Sequence, residues 1–131
     1  MPAHFPGAFT NTLNIGASGT SAETIAASCG PFQIGLDNQQ VLIFWMIALT
    51  IGTAGVTCQI RIRRGLLTLT GSVINNNVLN TVVAGNVYTF SGVYADFPVV
   101  AGNLGYSLTT QIGSATANST YGDVSLDAFA I

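Results

Sequence analysis

The chain has 131 residues, 6% of them charged and 49% hydrophobic: three arginines, no lysine, five acids and one histidine, for a net charge of −2. So few cations exclude a basic stripe for nucleic acid and a polybasic patch for a membrane surface. The longest apolar run, Val41 to Ile51, is about half the length of a membrane-spanning helix, and the glycines follow no G-x-y period, so collagen is excluded too.

The length fits one domain, large enough to bury a core without staples. Residues 1–20 are punctuated by Gly, Thr and Pro and carry few large apolar groups. They read as an extended N-terminal arm, with one short strand near Thr12 to Ile15. Its opening residues show neither a basic nor an apolar signal region, so synthesis in the cytoplasm without a signal peptide is expected. Residues 21–131 read as a β-domain: alternation of period two recurs between Gly, Asn and Pro turns, with no sustained helical period. A strand within 21–36 is expected to be interrupted at Cys29-Gly30-Pro31, because proline cannot donate to a ladder.

Val41 to Ile51 is the strongest element. Val41, Ile43, Trp45, Ile47, Leu49 and Ile51 point one way, and Leu42, Phe44, Met46 and Ala48 the other. Both faces are apolar, so burial on both sides is expected, one against the core and one against another element or a neighbouring chain. After the turn at 52–55, Val56, Cys58, Ile60 and Ile62 point inward, and Thr57, Gln59, Arg61 and Arg63 outward. Later strands are expected at Val73 to Val83, broken at Asn75-Asn76-Asn77, then Val87 to Tyr94, Leu104 to Ile112 and Tyr121 to Ile131. About eight strands on two faces predict an all-β, jelly-roll-like β-sandwich.

Chemistry is sparse. His4 lies in the arm, and no Ser-His-Asp, HExxH, CxxC or P-loop pattern occurs. Gly16-Ala17-Ser18-Gly19 reads as a plain loop in preference to an anion nest. Asp96, Asp123 and Asp127 are too dispersed for a general acid–base pair, and Asp123 and Asp127 are too far apart along one strand for a shared metal. No enzymatic activity, no cofactor and no metal are expected. Cys29 and Cys58 read as buried free thiols, with a single bridge as the other reading. Tyr88, Tyr94, Phe97 and Tyr121 are the candidates for a sugar platform. Arg61, Arg63 and Arg64 read equally as a solvated edge paired to Asp96 or Asp127, or as an interface cluster.

A chain this neutral is expected to lie against other protein, because charge is what keeps exposed surface solvated. Cytoplasmic synthesis combined with a Thr/Asn/Gly-rich β surface fits a virion protein. The order of segments Val56–Gly65, Ala84–Phe90, Ala101–Thr109 and Ser119–Leu126 resembles the decoration, or cement, proteins of tailed bacteriophages, with their trimeric tumour-necrosis-factor/C1q-like jelly roll. The resemblance spans roughly residues 40–131 and implies a homotrimer on the outer capsid surface, bound to the major capsid protein and stabilising the shell. The alternative is a receptor- or carbohydrate-binding knob of a phage fibre, tail or bacterial surface filament. Candidate subunit or capsid contacts are Phe5, Phe9, Phe44, Trp45, Met46, Arg61, Arg63, Arg64 and Phe129.

Overall fold

The computed structural model describes residues 18–20, 22–52, 56–98, 102–113 and 118–131. They form eight strands: β1 (Ser18–Thr20), β2 (Thr24–Ile34), β3 (Val41–Ile51), β4 (Val56–Arg64), β5 (Val73–Val82), β6 (Val87–Asp96), β7 (Gly102–Ile112) and β8 (Asn118–Ala130). Two antiparallel sheets hold them in the orders β1-β8-β3-β6 and β2-β7-β4-β5. Except from β4 to β5, every connection passes the chain from one sheet to the other. This interleaving is that of a jelly roll. Strand β1 shows that Ser18–Thr20, the end of the arm region, sits in the first sheet beside β8.

Alternation places the core between the sheets. Along β3 the residues from Val41 to Ile51 are buried at every second position. Ile43, Ile47, Leu49 and Leu126 of the first sheet meet Ile60, Ile62, Leu108 and Ile112 of the second. Burying such side chains contributes roughly 1.5–3 kcal/mol each, enough for a core with two sulfurs and no disulfide. Cys29 and Cys58 are both buried and free. They flank β7 at Tyr106 and Ile112, six residues apart along that strand. That spacing is about 20 Å at a strand's rise per residue, which rules out a bridge between them in this fold. Burial pushes the two thiols up to about 12 and about 11.

Three local expectations change. The Asn75-Asn76-Asn77 run does not break β5; it pairs with Ile62, Arg61 and Ile60 of β4, a tertiary ladder overriding a weak local preference. Gly30-Pro31 does not end β2, which continues past a register shift between Cys29 and Phe32. Gly30 is needed there: its φ is +112°, and a Cβ would come within 2.8 Å of the Leu104 carbonyl oxygen. Ser18 and Gly19 of the loop expectation lie in β1. His4 and the strand expected near Thr12 to Ile15 fall outside the described residues.

Strand β7 is buried on both sides, which its alternating pattern did not foretell. Tyr106, Leu108 and Ile112 face the core, yet Ser107 and Thr109 are equally buried. The connection after β4 lies over Ser107, and Thr109 donates its hydroxyl to Glu23. Leu67 and Thr68 donate backbone N–H groups to the hydroxyls of Ser28 and Ser107, and Ser107 donates to the Gly65 carbonyl. Small polar side chains allow that backbone close to the sheet and satisfy it there.

Candidate assembly surface

The two outer faces of the sandwich differ. That of the second sheet carries an internally satisfied polar cluster, beside which Val73 and Val78 of β5 stand 45% and 51% exposed. Glu23 receives Arg61 Nη1 at 2.9 Å, Arg63 Nε at 2.6 Å and Arg63 Nη2 at 2.8 Å, and the Thr109 hydroxyl at 2.8 Å. Arg61 also reaches Gln111 and Gln59. The Arg63 hydrogen bond, opposed by burial and reinforced by Thr109 and both cations, holds the Glu23 carboxyl below the usual range. Arg64 turns to the end of the sandwich and forks onto Asp96. All three arginines are therefore paired within the chain. Asp96 was foreseen as a partner, but Glu23 was not, since it lies 40 residues from Arg63.

The outer face of the first sheet is apolar. Along β3 it presents Leu42, Phe44, Met46 and Ala48, and among the described residues no element covers them. Phe44 stands between Val93 on β6 and Asp127 on β8; Met46 stands between Ser91 and Ser125. Phe44 is 38% exposed and Val93 61%. Phe129 packs edge-on against Phe44, with ring centroids 5.4 Å apart and planes at 84°. The small serines beside Met46 leave a groove of about 340 Å³ lined by Phe44, Met46, Ser91, Val93 and Ser125. The carboxylate of Asp127 interrupts this surface beside Phe44. Asp127 Oδ1 is buried with no hydrogen-bond partner, and burial raises its pKa above the ordinary value.

The foreseen contact residues separate accordingly. Phe44, Met46 and Phe129 come together on this face. Trp45, expected among them, is a correction: alternation along β3 turns it inward, where it is 6% exposed against Gly92. Phe5 and Phe9 fall outside the described residues. The sugar-platform candidates separate as well. Tyr88, Tyr94 and Tyr121 pack against the core, and only Phe97 stands exposed, at 53%. The Tyr121 hydroxyl is engaged with Thr110. Among the described residues no group of three or more His, Cys, Asp or Glu gathers as metal ligands, and no helix is long and apolar enough to cross a membrane.

No family model matches the chain, and no curated protein matches it. Its fold is similar to that of chains in solved structures of infectious bursal disease virus. One is from the Gt strain of infectious bursal disease virus, with a TM-score of 0.62 at 10% identity over 98% of this chain and 33% of that one. Another is from the Gx strain, with a TM-score of 0.51 at 10% identity over 97% of this chain and 32% of that one. A carbohydrate-binding module, described as "CBM4 structure and function", aligns at a TM-score of 0.48 and 14% identity, over 80% of this chain and 63% of that one. This chain thus spans about a third of the length of the viral proteins.

Proposed function

We propose that this protein is a non-enzymatic structural component of a virion that binds the outer capsid surface as a homotrimer and stabilises the shell. The observation that carries the reading is the apolar face of Leu42, Phe44, Met46, Val93 and Phe129, left uncovered among the described residues, on a chain almost free of charge. Such a face marks a site of association between proteins. The proposed mechanism is burial: these faces pack about a threefold axis, and the arm preceding β1 reaches across to neighbouring capsid subunits. At ~25 cal/mol per Å², a few hundred Å² of apolar contact per copy adds several kcal/mol, repeated over the shell. The similar fold of chains in infectious bursal disease virus structures supports a viral setting.

Carbohydrate recognition draws less support, because an exposed stacking platform needs more than Phe97. The test is co-sedimentation with assembled shells that lack the protein. The full chain is expected to bind. A chain without residues 2–15 is expected to stay folded and trimeric and to lose binding. A Phe44→Asp chain is expected to lose the trimer. Shells that ignore the full chain overturn the proposal.

A further inference from the structure

Among the described residues the sandwich has four edge strands: β1 and β6 in one sheet, β2 and β5 in the other. An open edge presents unpaired backbone donors and acceptors, and proteins blunt such edges with brevity, proline, bulges or charge. Strand β1 has three residues. Strand β2 holds Pro31 and two register shifts. Strand β5 pairs with β4 through two register shifts, and three of its residues are the consecutive asparagines. Strand β6 has none of these devices. Its ladder with β3 runs from Val87 to Asp96 without a shift, and Val87 to Ala95 contains no proline and no charge.

We propose that β6 is an interchain edge that pairs antiparallel, about a twofold axis at Ser91, with β6 of a second copy. This contact goes beyond the shell-binding reading and does not depend on it. The occupant follows from the strand's own pattern. Nine uncharged residues offer a foreign charged strand no counter-charge, whereas a second copy meets no like charge. Ser91 is the midpoint of Val87–Ala95, so full overlap of the uncharged stretch centres there and leaves Asp96 outside the pairing. In that register Phe90 comes opposite Gly92, Tyr88 opposite Tyr94, and Thr89 opposite Val93. The bulk of Phe90 meets the position that has no side chain, and the half-buried edges of Tyr88, Phe90 and Tyr94 are covered by the same row from the other copy. A twofold pair closes on itself and so ends growth along the edge. It joins the two first sheets into one of eight strands and makes their apolar outer faces continuous.

Ser91 and Ser125 make the test, because both lie on the Met46 rung of the outer face: Ser91 on the edge strand, Ser125 two strands inside. Each is replaced separately by cysteine in the full chain, and the protein is oxidised under native conditions and separated without reductant. The native thiols are buried. Edge pairing predicts that Ser91→Cys gives a covalent species of about 27 kDa, twice 13.5 kDa, while Ser125→Cys stays at the mass of one chain. Absence of a Ser91→Cys link overturns the proposal. Equal linking by Ser125→Cys also overturns it, because the packed faces of the proposed trimer would then account for both links without paired edges. A trimer that leaves both cysteines unlinked overturns the edge contact and leaves the shell-binding reading standing.

Discussion

The hydroxyl of Tyr106 on β7 donates to Asp96 Oδ2 on β6 at 2.7 Å, so one hydrogen bond ties the two sheets of the sandwich together at their end. Arg64 completes the junction, with its Nε 3.0 Å from the same oxygen. The carboxylate is buried and satisfied from two strands, and Tyr106 is the largest fully buried side chain of the core. Burial first, then the bond to Asp96, raises the phenol above its ordinary pKa. A hydrogen bond to a charged group contributes more than a neutral one.

Tyr106→Phe keeps the ring and removes the bond. The expected loss of unfolding free energy is about 1–3 kcal/mol, read from the urea midpoint at unchanged slope. An unchanged midpoint would show that the junction contributes nothing to holding the sheets together.

The Glu23 cluster predicts acid sensitivity. The carboxyl is held below its ordinary value near 4.5, chiefly by the Arg63 hydrogen bond. As pH falls, the unfolded chain takes up this proton before the folded one. The stabilisation is therefore complete above about pH 4.5 and is lost as pH drops through the folded value. Glu23→Gln is expected to be less stable than the wild type at pH 7 and equal to it in strong acid, with both followed by urea unfolding across the range.

Asp127 works in the opposite direction. Its carboxyl is raised by burial, and Oδ1 has no partner. Here the folded chain keeps the proton longer, so ionisation opposes folding as pH rises. Asp127→Asn is expected to stabilise the chain at pH 7, with the gain disappearing below about pH 3, where the wild-type carboxyl is protonated in both states. Chemical denaturation at the two pH values checks it; a loss of stability at pH 7 would contradict an unpaired carboxylate there.

Gly92 and Trp45 give an optical readout. A Cβ on Gly92 would lie 2.9 Å from Trp45 Nε1 and 3.1 Å from Cε2. Trp45 is the single tryptophan of the chain. Gly92→Ala is expected to shift the emission maximum and to cost about 1–3 kcal/mol through overpacking. Unaltered emission would mean that the indole does not lie over this glycine.

Much of the sandwich was legible in the residues themselves. Alternation placed β3, β4, β6, β7 and β8 within a few residues, because a strand with one face in a core must repeat every second position. The same alternation sets Phe44, Met46 and Phe129 on faces that are exposed or half-buried and Trp45 on the buried one, so Trp45 is no surface contact, and Tyr88, Tyr94 and Tyr121 pack against the core. The burial of Ser28, Ser107 and Thr109 was not legible, because polar residues in a strand look the same whether water, a crossing backbone or the Glu23 carboxylate satisfies them. The edge status of β6 was equally hidden, since a strand's sequence does not show whether a second neighbour lies beside it.

Composition and period, which are local properties, determined an all-β sandwich with little charge and one strand apolar on both faces. The tertiary structure alone decided the strand order, the pairing of Arg63 with Glu23 and of Arg64 with Asp96, and which faces and edges the described residues leave uncovered. Those relationships join residues 32 to 40 positions apart. They arise only when the chain crosses between sheets, where contact depends on topology and not on neighbouring sequence.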